Sequence, residues 1–171
     1  DAIGHQMKTG FAKDGIDVSA VELDPKLPTG IAIIYVSDEG ENSIGISAEA
    51  NGALTPAVVK SHQAMIAAAH TLLLQLEVPL ESVLEAARLA RAHGTRVVLN
   101  PAPARPLSSE LLALVDLITP NQTEAELLTG VKVTDEASAR EAAKRFHEMG
   151  ITDVMITLGS QGVYCSNGKQ Q

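Results

Sequence analysis

Aromatic residues make up only 2% of the 171 residues. That removes the stacking platforms on which single-stranded nucleic acids bind. Positive charge is scarce as well: 13 Lys and Arg stand against 21 Asp and Glu, for a net charge of −8. No Lys/Arg cluster supplies the basic patch of a nucleic-acid surface. Cys165 is the only cysteine, so an internal disulfide is impossible. This fits a cytoplasmic protein in a reducing compartment, and Cys165 reads as a small core hydrophobe on a strand. No apolar run approaches the roughly 20 residues of a membrane helix, and the opening residues do not read as a signal peptide.

Several chemical signatures are also missing. There is no GxxxxGK[ST] and so no standard P-loop, and no GxGxxG follows a strand. HExxH and paired cysteines are absent, which excludes the common zinc patterns. The five histidines, His5, His62, His70, His93 and His147, scatter over expected helices and read as solvated.

What is present is a globular composition, 45% apolar, long enough for one domain with a real core. Ile3, Met7 and Phe11 recur at helical spacing and predict an opening helix. Residues 18–23 read as a short strand. Residues 30–37 and 43–47 read as two strands around the turn Asp38-Glu39-Gly40-Glu41-Asn42. From Thr55 the pattern alternates. Helices are expected over residues 55–69, 79–93, 108–114, 121–130 and 134–149, with Thr55 and Thr134 as caps and Gly94 and Gly150 as stops. Strands are expected over residues 71–76, 96–99, 117–119, 153–158 and 162–166. Such alternation means βαβ units and a parallel sheet, and runs such as LLLQL suggest burial on both sheet faces. A boundary is expected between the hairpin and the alternating region, near residues 48–54.

The carboxyl ends of parallel strands share one edge, where open α/β sheets bind ligands. Four polar elements fall there: Glu77, Asn100, Asn121 with Glu124, and the run Thr157, Leu158, Gly159, Ser160, Gln161 and Gly162. Glu77 ends an apolar strand and could accept from sugar hydroxyls, or could simply be an exposed strand end. The glycines of residues 157–162 allow a close phosphate approach or an ordinary β-turn. Asn121 and Glu124 have the spacing of a helix cap with its N3 acid. The same pair could place a nucleotide phosphate and, through water, a magnesium ion. These alternatives stay open on the residues alone.

The stretches TGIAIIYVSDEGENSIGI (residues 29–46), LLLQLEVPLESV (72–83), LNPAPARPL (99–107), ITPNQTEAELLTG (118–130) and ITLGSQGV (156–163) carry a resemblance. The chain resembles the ribokinase-like carbohydrate kinase family over essentially all of its length. The resemblance implies a three-layer α/β fold with a mostly parallel sheet and a small β-hairpin lid. Its implied division is residues 1–28 as the first helix and strand of the α/β domain, 29–48 as the lid, and 49–171 as the sugar- and nucleotide-binding domain. It also implies ATP-dependent phosphorylation of D-ribose to ribose 5-phosphate, with Mg2+ and K+ as cofactors and a homodimer formed through the lid. The partners it implies are a small sugar and ATP, with no nucleic acid and no membrane.

By the same resemblance Glu77 looks like the acid that binds ribose hydroxyls, and Ala32, Ile34 and Ile46 like the lid residues that cover the sugar. Asn121 looks like an ATP-phosphate contact, Glu124 like the acid that organises magnesium and water, and residues 157–162 like the nucleotide loop. The family's GGKGAN segment, its first strand with a sugar-binding aspartate, and its DTxGAGD segment with the catalytic aspartate do not occur here. The chain therefore looks like the middle of such a kinase, inactive by itself. The alternatives are another sugar or nucleoside kinase of the family, or a non-catalytic domain.

Overall fold

The computed structural model describes residues 1–40 and 42–168. Glu41, part of the expected turn, lies outside the described residues, as do Lys169, Gln170 and Gln171. The chain forms two compact units, Asp1–Leu54 and Thr55–Gln171.

In the first unit, helix α1 (Ala2–Lys13) opens on Asp1, whose carboxylate accepts the Gly4 amide at 2.7 Å. An acid there satisfies an orphan donor and faces the positive end of the helix dipole. The same carboxylate accepts the Thr29 amide at 2.9 Å and the Thr29 hydroxyl at 2.7 Å. It thereby fixes the segment that enters β1 (Ile31–Val36), which pairs antiparallel with β2 (Asn42–Ser47). At Gly30 a Cβ would lie 2.9 Å from the Ala48 carbonyl oxygen, so this crossing requires glycine.

Residues 18–23, expected as a strand, form none. Asp17 accepts the Ser19 amide at 2.9 Å, and the Val21 amide turns back onto the Val18 carbonyl at 3.1 Å. Asp24 accepts the amides of Lys26 and Leu27. These short carboxylates bend the backbone into turns in place of a ladder.

The second unit begins with α2 (Pro56–Ser61), capped by Thr55, and α3 (Gln63–Ala68). One helix was expected here. It breaks at His62, which sits at φ −102° and ψ 16°, and the Ser61 hydroxyl bonds back to the Val58 carbonyl at 2.7 Å. Then follow β3 (Thr71–Leu74), α4 (Leu80–His93), β4 (Arg96–Leu99), α5 (Ser109–Leu112), β5 (Leu117–Ile118), α6 (Gln122–Thr129), α7 (Glu136–Glu148), β6 (Asp153–Thr157) and β7 (Val163–Ser166). Gly94 and Gly130 end α4 and α6 in the left-handed region, where a Cβ is penalised. The cap of α7 is Asp135, one residue past the expected Thr134. Asp135 is extended at φ −154°, and the Thr134 amide already donates to the Ser138 hydroxyl at 2.9 Å.

The five strands lie in the order β3-β4-β5-β6-β7, parallel up to β6 and antiparallel at β7. Each crossover adds its strand on the same side, and right-handed crossovers then stack the helices on one face. Accordingly α4 packs on β3 and β4, and α7 on β6 and β7. The helix-covered face carries Val97, Leu99, Ile118, Val154, Ile156 and Tyr164, all buried together with Phe146 of α7. The opposite face carries Leu73, which is 75% exposed, as well as Met155 and Cys165. Val98, the register partner of Leu73 on that face, is buried, so the expectation of burial on both faces holds at β4 and is corrected at β3; the reading of Cys165 as a core residue is corrected as well. Among the described residues no helix is long and apolar enough to cross a membrane.

The Tyr164 hydroxyl is buried without a hydrogen-bond partner among the described residues. A desolvated, unpaired hydroxyl costs about 1–3 kcal/mol. Tyr164→Phe is therefore expected to leave stability unchanged or raise it by about 1 kcal/mol in urea unfolding. A loss of that size instead would mean the hydroxyl is satisfied.

Candidate functional site

Strands β3 to β6 place their carboxyl ends on one edge, and backbone bonds continue past the strand ends there. Asn100 donates to the Leu74 carbonyl, Thr119 to Leu99 and Thr157 to Pro120, each at 2.9 Å. The loops therefore leave the edge in a fixed order: residues 75–79, then 100–107, then 119–121, then 158–162.

Glu77 stands exposed in the first of these loops. Its amide is taken by the Gln75 side chain. Leu76, 2% exposed, anchors the segment by donating to the Ala102 carbonyl at 2.8 Å. The buried leucine holds the backbone while its neighbour's carboxylate remains in water.

Asn121 and Glu124 form a reciprocal pair at the start of α6. The Glu124 amide donates to Asn121 Oδ1 at 2.9 Å, and the Asn121 amide donates to Glu124 Oε2 at 2.8 Å. A third bond runs from Asn121 Nδ2 to Glu124 Oε1 at 2.9 Å. The capping box is thus real, and it buries Glu124 to 6% exposure. It does not use up the chemistry. The Asn121 amide group keeps a second hydrogen, and each Glu124 oxygen keeps a lone pair.

A parallel bridge joins Asn121 to Thr157, so the box also abuts the loop that leaves β6. In that loop Leu158 donates to the Gly162 carbonyl at 2.8 Å, Gln161 to Leu158 at 3.1 Å and Gly162 to Gly159 at 3.2 Å. Gly159 and Gly162 adopt φ of 58° and 92°, which side-chain-bearing residues resist. The Ser160 side chain is exposed at the apex. The arrangement is a tight turn with Thr157, Leu158, Gly159, Ser160, Gln161 and Gly162 gathered beside Asn121.

Two tethers escaped the sequence reading. Gln122 Nε2 donates to the Val133 carbonyl at 3.0 Å, and Gln161 Nε2 to the Thr134 carbonyl at 3.5 Å. They fasten the α6–α7 loop to both the box and the turn. Glutamine carries no signal that reveals a distant backbone partner. His147, expected as solvated, is half-buried: Nδ1 faces the Ile151 carbonyl at 2.9 Å and Nε2 the Ser166 hydroxyl at 2.8 Å.

In the first unit, register pairs Ala32 with Ile46 and Ile34 with Ile44. Ala32, Ile34 and Ile46 therefore share one hairpin face, joined by Ile44, which the sequence reading left out. The Ile34, Ile44 and Ile46 side chains are all exposed.

Among the described residues no three His, Cys, Asp or Glu gather as a metal cage. One carboxylate at the rim, Glu124, fits magnesium, which phosphates and water hold for the most part. A cleft of about 400 Å³ lies at the opposite edge, lined by Arg91, Arg96, Asp116 and Asp153. Its cations are spent in ion pairs, Arg91–Asp116 and Arg96–Asp153, each at 2.6 Å. Unspent polar groups concentrate at the carboxyl edge, which makes that edge the candidate site.

A family model for pfkB family carbohydrate kinases matches residues 1–171. The chain belongs to that family. It is 52% identical over 166 residues to the ribokinase of Haemophilus influenzae, covering 97% of this chain and 54% of that protein. The ribokinase structure from Giardia lamblia matches all of the chain and 55% of its own, at TM-score 0.87 and 28% identity. The Arabidopsis thaliana ribokinase complexed with ribose and ATP matches 85% of this chain and 47% of its own, at TM-score 0.77 and 28% identity. The chain spans about half the length of the curated relatives it matches. The pfkB fold here is a ribokinase-like α/β unit with a five-stranded, mostly parallel sheet and a separate antiparallel hairpin.

Asn121→Ala removes the side-chain cap and leaves buried Glu124 Oε1 without its Nδ2 donor, while the backbone amide still reaches Oε2. The substitution is expected to cost about 1–2 kcal/mol in urea unfolding. At the far end of the tethered loop, the Ser138 hydroxyl, and then its amide, hold the Asp135 carboxyl below the ordinary carboxylate range. The folded value is depressed, so this stabilisation is full above the unfolded value and fades as pH falls through the folded one. Ser138→Ala is expected to move the Asp135 titration, followed by carboxyl NMR, back toward higher pH.

Proposed function

We propose that the protein containing this chain transfers the γ-phosphoryl group of ATP to the 5-hydroxyl of D-ribose. The observation that carries this reading is the Asn121–Glu124 box bridged to the 157–162 turn, in a chain whose strong relatives are ribokinases. Phosphoryl transfer depends mainly on positioning and charge neutralisation, which is what such a rim offers.

In this reading Glu77 accepts hydrogen bonds from ribose hydroxyls. Ala32, Ile34 and Ile46 cover the sugar as the hairpin lid closes, and exclusion of water limits ATP hydrolysis. Asn121 donates its remaining amide hydrogen to a phosphate oxygen. Glu124 accepts from water around the phosphates through its unused lone pairs. Magnesium, when bound, neutralises phosphate charge. Thr157, Leu158, Gly159, Ser160, Gln161 and Gly162 wrap the nucleotide. The second apolar face of the hairpin, with Ile33 and Tyr35 exposed, fits a homodimer contact. A lone cysteine fits a cytoplasmic setting.

The division into residues 1–28, 29–48 as lid and 49–171 as sugar and nucleotide domain belongs to the same proposal. No residue here takes the role of general base, because DTxGAGD does not occur in the 171 residues. The potassium site belongs with that motif. These residues alone are therefore expected to show no ribose-dependent ADP release in a coupled assay.

In the full-length protein, Glu124→Gln is expected to lower turnover on the order of 10²-fold and raise the magnesium requirement. An unchanged magnesium titration would sink that role. Glu77→Gln is expected to raise KM for ribose far more than KM for ATP. A panel of ribose, deoxyribose, fructose and adenosine separates the ribose reading from other sugar or nucleoside kinases.

A further inference from the structure

We propose that Arg105 binds the phosphoryl group in transit and, afterwards, the phosphate of the sugar-phosphate product. This rests on the ribose kinase reading above. The chain has six arginines. Five are spent on carboxylates: Arg88 on Glu110 at 2.5 Å, Arg91 on Asp116 and Arg96 on Asp153 at 2.6 Å, Arg140 on Glu136 at 3.5 Å, and Arg145 on Glu148 at 3.2 Å. Arg105 is exposed and, among the described residues, makes no ion pair, in a chain where acids outnumber bases 21 to 13.

Its position is specific. Arg105 lies in the loop NPAPARPL, residues 100–107, which leaves the carboxyl end of β4. Three prolines, Pro101, Pro103 and Pro106, fix backbone φ and stiffen this loop. Pro101 is buried, Leu107 packs against the core, and Ala102 accepts the Leu76 amide at 2.8 Å. The last contact ties the loop to the segment that carries Glu77.

Sheet order then decides the neighbourhood. β4 lies between β3 and β5. The loop of Arg105 therefore emerges between Glu77, the acid of the sugar side, and Asn121 with Glu124, the pair of the phosphate side. A phosphoryl group passing from nucleotide to sugar crosses that interval. Both flanking elements bring carboxylates, which repel a phosphate. A guanidinium between them offsets that charge and matches phosphate oxygens in pairs.

In the transfer, the bond from the sugar oxygen to phosphorus forms as the bond from phosphorus to the β,γ-bridging oxygen breaks. ADP leaves with that electron pair, and the hydroxyl proton passes to a carboxylate base. Arg105 keeps its protons and forms no covalent bond. Its part is to hold charge that spreads over the equatorial oxygens.

The test compares Arg105→Gln and Arg105→Lys with wild type in the full-length protein. Calorimetry would use D-ribose 5-phosphate, D-ribose and ADP, alongside steady-state kinetics. Arg105→Gln is expected to weaken ribose 5-phosphate binding at least about tenfold and lower kcat on the order of 10²-fold. Ribose affinity, ADP affinity and melting temperature should stay as in wild type, and Arg105→Lys should recover part of the loss. Unchanged ribose 5-phosphate affinity and kcat would overturn the proposal. So would an equal loss for ribose, or a loss confined to ADP. Wild-type protein that binds neither ribose nor its phosphate would instead overturn the ribose kinase reading itself.

Discussion

The reciprocal hydrogen bonding of Asn121 and Glu124 is the interaction on which the candidate site depends. Three hydrogen bonds join the two residues, and a parallel bridge carries Asn121 onto Thr157. One pair therefore sets the start of α6, the exit of β5 and the position of the turn after β6. Glu124 is almost fully buried, and a buried carboxylate persists only with its oxygens satisfied. Asn121 satisfies both. The structural and functional roles of the pair do not compete, because capping leaves a donor hydrogen and lone pairs unused at the same edge.

Around that pair the chain divides its charge by place. At the amino edge of the sheet, Arg91 and Arg96 are matched by Asp116 and Asp153, and the Asp116 carboxylate also accepts the Val97 amide at 2.8 Å. Exposed pairs of this kind add little stability each, but they occupy the guanidinium groups of Arg91 and Arg96. At the carboxyl edge the polar groups are held by backbone contacts and stay chemically available. Glu77 is carried by buried Leu76, and Arg105 by a proline-stiffened loop. The two edges of one sheet thus do different work, one as a closed set of ion pairs and the other as an open rim.

Much of this was legible in the sequence where a residue's own chemistry settles its local backbone. Gly94 and Gly130 ended helices because only glycine enters the left-handed region without strain. Thr55-Pro56 opened one because the hydroxyl accepts and proline lacks the amide. The reading failed where two local options competed. Residues 18–23 had strand-forming apolar residues, but Asp17 and Asp24 captured the neighbouring amides. Thr134 and Asp135 both suit a cap, and backbone conformation gave the place to Asp135. Cys165 and His147 were misjudged because burial depends on which sheet face a strand residue takes and on what packs there.

The amino-acid sequence by itself determined the alternation of strands and helices, the places where helices start and stop, and the identity of the polar residues at the strand ends. These follow from side-chain geometry acting on its own few neighbours. Only the tertiary structure decided which of those residues meet. It placed the loop of Arg105 between the loops of Glu77 and Asn121, joined Asn121 to Thr157, and fastened Gln122 and Gln161 to one loop. Strand order and hydrogen bonds between distant segments arise when helices bury one face of the sheet. That burial is a property of the whole assembled core and of no single stretch.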